Sequence, residues 1–414
     1  MNRRRWLVSL LVAAALTALA ILLGPLGPTR SHRSASSTPP SSGPVVTTTV
    51  ATDPSAVEST GSSVPGTLAP TSGAFAATSV ASQQVAAGTA PGRLLDHVPA
   101  NADGSLVRIR YSSVGSAGTP IAETGLVAIP PGTPPAGGWP ILSVGHPTVG
   151  SADICAPSVN TSGFAGAAQI FTQFGYLVVM SDYEGLGTTG PHTFLDGHSE
   201  GRAVLDAARA ARQLDVPTTD HLTLWGISQG GQAVLFAAEL APTWAPDLHL
   251  VATVAEAPAS GGIELFRHVA ATDERGFAVL AVAGLGAADG LDPATVLTPA
   301  AQPLLAVVEQ QCSEAVKQAA AAINGDLVDL SALDTDPWAA AIAAQQLGTI
   351  EITTPLLIVH GTADPLIPIA SSEALVADYR SLGTPVEFLS QSGAGHADVA
   401  LSSLTAVVAW LAQH

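Results

Sequence analysis

Residues 221–240 read HLTLWGISQGGQAVLFAAEL. The stretch opens on an apolar run, Leu222–Trp225, and turns through Gly226-Ile227-Ser228-Gln229-Gly230-Gly231. It then continues as an apolar helical pattern. A strand, a sharp turn and a helix in direct succession form the context in which Gly-x-Ser-x-Gly marks a serine nucleophile. The reason is crowding. Ser228 must stand on a strained turn with its hydroxyl lifted above the sheet edge. Only residues without bulk two places before and after it let strand and helix approach that closely. Attack by Ser228 would leave an oxyanion at the helix N-terminus, where the N–H of Gln229 is free to donate.

The same grammar extends in both directions. Upstream, Ser105–Ser112 and Ile121–Ile129 alternate as a leading hairpin, followed by the continuous apolar runs Pro140–Val144 and Tyr176–Met180. Downstream come His249–Glu256, Pro355–Val359 and Pro385–Leu389. Continuous apolar runs suit parallel strands covered on both faces. Helical patterns at Gly163–Phe174, Ser199–Leu214, Gln229–Leu240, Ser371–Leu382 and Asp398–Gln413 separate them. The expectation is an α/β fold with an eight-stranded, mostly parallel sheet and right-handed crossovers. About ninety residues from Pro258 to Gly348 hold no convincing strand and are rich in Ala and helix formers. They read as a helical insertion after the sixth strand, overhanging the usual ligand crevice.

A serine hydroxyl needs a base, and the base needs an orienting acid. The loop after the last strand carries Gly393-Ala394-Gly395-His396, a Gly-flanked imidazole able to swing over the strand edges toward Ser228. The preceding strand ends in Val359-His360-Gly361-Thr362-Ala363-Asp364, which puts Asp364 just past a strand end. Asp334 and Asp336 are rival acids, but they lie inside the insertion. His360 reads as structural and Asp398 as the cap of the last helix. A second oxyanion donor belongs in the loop after the third strand, Gly145-His146-Pro147-Thr148. Pro147 has no N–H, so Thr148 is the candidate donor.

Composition narrows the partners. Of 15 basic residues, five lie before residue 34; the remaining ten face 33 acidic ones, a net charge of -23. Such a body repels phosphate backbones, which argues against nucleic acid. Two cysteines are too few for a multi-Cys zinc site, and His192 and His198 are spaced too loosely in a loop to suggest a metal. No cofactor is implied. At the N-terminus, Arg3-Arg4-Arg5 precede an apolar run, Trp6–Leu23, and a Ser/Thr/Pro/Gly stretch to about residue 73. This reads as an export signal or a retained membrane anchor followed by an extended linker. The protein is therefore expected to be secreted or extracytoplasmic, with membrane association through that segment if it is not cleaved.

With these residues placed, the chain resembles the secretory lipase family, the lipase-A-like α/β-hydrolases with an inserted helical cap. The resemblance rests on GHPTVGSADICAPS (145–158), FGYLVVMSDYEGLGTTGPH (174–192), GISQGG (226–231), HGTADPLIP (360–368) and GAGH (393–396). It implies a triad of Ser228, Asp364 and His396 and hydrolysis of carboxylic esters, mostly glycerides and other lipid esters. His146-Pro147 departs from the His-Gly more usual in bacterial members. The family also suggests a disulfide between Cys155 and Cys312, with two buried free thiols as the alternative. The expected layout is a signal peptide or anchor at 1–28, a linker at 29–85, a core at 86–258 and 349–414, and a helical cap or lid at 259–348. Three rivals to the esterase reading share parts of this pattern. An acyltransferase would replace water by an alcohol. An exopeptidase would need cap carboxylates such as Glu264, Asp273, Glu274 or Asp289 to hold an amine. A non-catalytic surface binding protein would leave a complete triad unused.

Overall fold

A computed structural model describes residues 80–414. Contacts divide the chain into two units, Met1–Gly66 and Thr67–His414, and every described residue belongs to the second. The expected export segment, and the linker up to residue 79, lie outside the described residues.

The described residues form nine strands: β1 (Leu94–Pro99), β2 (Leu106–Val114), β3 (Pro120–Ala128), β4 (Trp139–Gly145), β5 (Leu177–Ser181), β6 (Thr218–Ile227), β7 (His249–Glu256), β8 (Leu356–Gly361) and β9 (Val386–Gln391). Their order in one sheet is β1-β2-β3-β5-β4-β6-β7-β8-β9. The first three strands and the β3–β5 pair are antiparallel. All pairs from β5 to β9 are parallel. The expected eight strands are thus one short. The extra strand is β1, LLDHVP, half-buried along its whole length and bulged between Leu94 and Asp96. An edge strand with Asp and His in its middle presents no apolar run and no clean alternation, so its sequence gives it away poorly.

Five helices cover the sheet: α1 (Ser162–Gln173), α2 (Gly197–Ala211), α3 (Gln229–Trp244), α10 (Ile369–Leu382) and α11 (Val399–Leu411). Neighbouring strand residues feed opposite layers. Ile141, Val179, Leu224 and Ile358 pack with α2, α3 and α10. Leu142, Val178, Val254 and Leu357 pack with α1 and α11. Both faces are buried, which is why the central strands read as unbroken apolar runs.

Between β7 and β8 run α4 (Gly262–Ala270), α5 (Gly276–Asp289), α6 (Leu304–Gln310), α7 (Ser313–Ala321), α8 (Leu330–Leu333) and α9 (Trp338–Ala343). Because β1 was not foreseen, this insertion follows the seventh strand rather than the sixth. Its apolar residues close a core of their own around Val279, Leu280, Val282, Val316 and Leu333, joined by Phe194 from the loop before α2. Several ties fix it to the sheet layers. Cys155 and Cys312 form a disulfide, with Cα atoms 5.6 Å apart. The N–H of Ser313 donates to the carbonyl of Val149 at 3.0 Å. The N–H of Gly197 donates to Oε1 of Gln345 at 2.8 Å.

Gly284 and Gly286 suggest a hinge by sequence, and the structure corrects this. Both lie within α5, and a Cβ on Gly284 would stand 2.4 Å from the carbonyl oxygen of Phe194. Gly284 is small so that the helix can press against that loop. Gly261 and Gly262, with φ of 114° and 55°, do sit at a backbone turn ahead of α4.

The Cys155–Cys312 bridge closes a loop with a sequence separation of 157. In the chain-entropy account such a cross-link stabilises by about 5 kcal/mol. Reduction, or Cys155→Ser with Cys312→Ser, should move the urea midpoint down by a corresponding amount. An unchanged midpoint would show that the bridge constrains nothing in the unfolded chain.

Candidate active site

The turn from β6 into α3 is held open by backbone, not side chains. Ser228 has φ 59° and ψ −120°, a conformation L-residues rarely adopt. It costs about 1–3 kcal/mol and persists only when the surroundings impose it. They do so here. The N–H of Ser228 donates to the carbonyl of Glu256 at 2.9 Å, and its own carbonyl accepts from Gln232 and Ala259, both at 3.1 Å. A Cβ on Gly226 would lie 2.1 Å from the oxygen of Gly230, and one on Gly230 would lie 2.0 Å from the oxygen of Gly145. The elbow thus touches the start of the loop that carries Thr148. Thr148, Ser228 and Gln229 line one cavity.

The second half of the site stands on the neighbouring strand ends. Asp364 follows β8 and His396 follows β9, and Nδ1 of His396 meets Oδ2 of Asp364 at 2.7 Å. A carboxylate only accepts, so Nδ1 carries a hydrogen, and in the neutral imidazole Nε2 is then the bare nitrogen. The two loops are sewn together: Thr362 N–H to Gln391 carbonyl at 2.9 Å, Ala363 N–H to Ala394 carbonyl at 3.0 Å, and Gly393 N–H to Thr362 Oγ1 at 2.8 Å. Oδ1 of Asp364 accepts from the N–H groups of Leu366 and Ile367, both at 2.9 Å. Leu366 and Ile367 line the same cavity as Ser228. The acid loop and the serine therefore share one chamber.

The Asp364 side chain is buried, which by itself would raise its pKa. Hydrogen bonds from His360, His396 and the backbone N–H of Ile367 outweigh that and hold it well below the usual carboxylate range. His360 is closer to the chemistry than a merely structural residue. Its Nε2 lies 2.9 Å from the carbonyl of Ile367 and 3.3 Å from Oδ2 of Asp364, and its Nδ1 faces Ser372 Oγ at 2.7 Å. The Ile367 carbonyl can only accept, so Nε2–H points at that carbonyl and the acid together. Asp398 stands at the N-cap of α11 but makes no side-chain capping bond, contrary to expectation. Of the rival acids, Asp334 pairs with Arg267 on the surface.

The cavity holds about 770 Å³ out to its mouth. Its far wall is the insertion: Leu265, Phe266 and Val269 from α4, Phe277, Ala278, Ala281 and Leu285 from α5, and Ile342 from α9. That apolar lining is of the kind small-molecule sites carry. None of Glu264, Asp273, Glu274 and Asp289 lines it. Glu264 pairs instead with Arg267, and Glu274 with Lys317. Among the described residues no cluster of His, Cys, Asp and Glu could hold a metal ion.

Sequence reading missed one group of residues, buried behind Gln229. The loop after β5 brings Tyr183 and His192, and the first turn of α2 brings Glu200. Nδ1 of His192 faces the carbonyl of Glu184 at 2.7 Å. The Gln229 carboxamide donates to Oε1 of Glu200 at 2.7 Å and meets Nε2 of His192 at 3.3 Å. The rings of His146, Tyr183 and His192 follow one another, with centroids 4.3 and 6.3 Å apart, from the Thr148 loop to Gln229. The one sequence signal was a Glu in a helix face otherwise built from small residues.

A family profile described as secretory lipase matches residues 168–414. A probable inactive lipase of Mycobacterium tuberculosis is 28% identical over 328 residues, 73% of this chain and 72% of that protein. Lipase A of Arthroderma benhamiae is 27% identical over 256 residues, and the match spans 57% of this chain but only 52% of that relative's length. The fold is similar to the closed state of Candida antarctica lipase A, with a TM-score of 0.66 at 22% identity, covering 78% of this chain and 82% of that one.

Asp364 ties pH to stability. Its carboxyl is depressed in the folded chain, so the stability it lends is present above the unfolded value near 3.8 and is lost as pH falls through the folded value. Asp364→Asn should unfold more easily than the parent at pH 7, with the gap closing as the pH drops below about 4. Thermal unfolding across that range reads this directly; a gap that is constant with pH would mean that the carboxylate's charge is not what stabilises the loop.

Proposed function

Because the chain belongs to the secretory lipase family, we propose that it hydrolyses carboxylic esters of lipids through Ser228, His396 and Asp364 and an acyl-enzyme. The observation that supports this reading is the Asp364–His396 hydrogen bond, with the acid loop that carries Asp364 lining the same chamber as a strained Ser228. The bare Nε2 of His396 takes the proton of Ser228 as the hydroxyl oxygen bonds to the ester carbon. The carbonyl oxygen becomes an oxyanion that accepts from the N–H of Gln229, with Thr148 as second donor. Collapse breaks the ester C–O bond, and the alcohol leaves with the proton held on His396. Water then repeats the sequence and frees the acid. Asp364 stays ionised throughout and stabilises the imidazolium.

The insertion is the wall of the acyl site, and we assign it the role of cap. Its cavity-facing residues are almost all apolar, which suits a hydrocarbon chain and not a free amine. The family's secretory character supports a place outside the cytoplasm, in keeping with the N-terminal segment read as an export signal. Among the described residues no helix is long and apolar enough to cross a membrane. Inactivity belongs to the name of the Mycobacterium tuberculosis relative; this chain keeps serine, acid and base.

Ser228→Ala should leave folding intact, since little packing is lost, and lower ester turnover by about 10⁶. Residual activity above a per cent in a variant with the parent's thermal midpoint would remove Ser228 from the mechanism.

Each methylene moved into the cavity contributes about 0.8 kcal/mol, or roughly fourfold in kcat/KM. p-Nitrophenyl esters should therefore be hydrolysed better as the acyl chain grows from acetate until the cavity is full. Ala281→Phe, which narrows the α5 wall, should depress the long esters at least about tenfold more than acetate. Equal losses across the series would take α5 out of the acyl site.

A further inference from the structure

The residue after the nucleophile carries a long polar side chain, and that side chain is buried and tied on both its hydrogens. Nε2 of Gln229 donates to Oε1 of Glu200 at 2.7 Å and to Nε2 of His192 at 3.3 Å. His192 can accept because its hydrogen is on Nδ1, donated to the Glu184 carbonyl at 2.7 Å. Oε1 of Glu200 accepts a second bond, from the N–H of Leu195 at 3.0 Å, while Oε2 is buried with no partner. An oxygen with two N–H donors is the carbonyl-like one of a carboxylic acid, and the proton belongs on the other. Burial agrees with this: it pushes Glu200 up to about 8 and His192 down to about 4, so both are neutral near pH 7.

Resting on the esterase reading above, we propose that Glu200 and His192 are positioning residues: by holding the Gln229 carboxamide they aim the Gln229 backbone N–H at the oxyanion. The peptide plane in question joins Ser228 to Gln229. At its carbonyl end it is pinned by the N–H groups of Gln232 and Ala259, both at 3.1 Å. At its N–H end there is no intrahelical acceptor, because this is the first turn of α3. What remains to fix that end is the Cα of Gln229, and the Cα is fixed by where its side chain is held. Oxyanion donors act only when they are preorganised, and a small misplacement is expensive. The ring series His146–Tyr183–His192 couples the same clamp to the loop of the second donor.

The other titratable groups around this cluster are His146 ahead of Thr148, which lowers the His192 pKa further, Asp196 at the cap of α2, Tyr183 from the loop after β5, and Glu184, which accepts from Ser199 Oγ at 2.6 Å. Asp196 raises the Glu200 pKa further, and Glu200 raises that of Tyr183. No cation is among the causes acting on Glu200. Glutamine is therefore a close substitute for Glu200 as it stands at neutral pH.

The test uses the full chain and a p-nitrophenyl ester. Gln229→Met keeps the backbone N–H and the Glu200–Leu195 bond but loses the clamp; Glu200→Ala loses both bonds. Each should lower kcat by about ten- to a hundredfold with KM within twofold. The double variant should be no worse than the poorer single one, because both break the same arrangement. Glu200→Gln should restore kcat to within about threefold of the parent, since its carboxamide oxygen can take the place of Oε1. If Glu200→Ala fails to fold, Gln229→Met decides alone. A Gln229→Met variant with the parent's kcat, a loss confined to KM, or additive losses in the double variant would overturn the proposal. A parent that turns over no ester would overturn the esterase reading and this inference with it, whereas an active parent with unaffected variants overturns only the inference.

Discussion

Three backbones cross without room for a single methyl group between them. Gly226 at the end of β6, Gly230 in the first turn of α3 and Gly145 at the end of β4 would clash at 2.0–2.5 Å if any of them carried a Cβ. Everything chemical in the structure follows from that approach. It forces Ser228 into its positive φ, because the strand must become a helix within two residues. It brings the Thr148 loop against the helix N-terminus, so the two candidate oxyanion donors line one cavity. It leaves Gln229 at the first helical position with its side chain turned inward, where only buried polar partners can satisfy it. The strain at Ser228 is offset by three backbone hydrogen bonds from adjoining segments, which is how a rigid sheet can hold an unfavourable turn indefinitely.

The sequence was most legible where local rules and tertiary needs coincide. Central strands buried on both faces must be apolar throughout, and a strand-turn-helix with two spacer glycines has few other uses. The Asp364 and His396 loops were readable for the same reason, because each lies directly after an apolar run that must be a strand. Legibility failed where the determining contact is remote. β1 is half-buried along its length and paired on one side, so its residues obey no period. Gly284 looked like a hinge because a glycine carries no record of what presses on it; its neighbour is Phe194, ninety residues earlier. The Glu200–Gln229 and His192–Gln229 contacts join residues 29 and 37 apart. Nothing in a buried Glu, a loop His or a helix-start Gln names its partner, and by sequence His192 stood out only as a histidine too loosely spaced from His198 to suggest a metal.

The insertion shows how an added layer is made part of a site without belonging to the sheet. Its own core is closed by Val279, Leu280, Val282 and Val316, so it holds its shape with few contributions from below. Its attachments fall on the loops that carry chemistry. The Ser313–Val149 hydrogen bond reaches the residue after Thr148, and the disulfide holds the same connection further on, at Cys155. His268 on α4 contacts the carbonyl of Pro365, one residue beyond Asp364, at 2.9 Å. Gln345 accepts from Gly197 at the start of the helix that bears Glu200.

These attachments have an energetic consequence. Loops are ordinarily the least stable parts of a fold, and residues that must act together within a few tenths of an ångström cannot sit on independently moving segments. Here the oxyanion loop, the acid loop and the start of α2 are each fastened twice, once to the sheet that launches them and once to the insertion above. If the proposed function holds, the apolar wall that suits an acyl chain is the same body that steadies the candidate catalytic groups. A change in the wall that shifts α5 would be felt through Phe194 and Leu195, whose N–H shares an oxygen of Glu200 with Gln229. On the proposed reading, acyl-chain fit and oxyanion alignment are joined at that one carboxyl group.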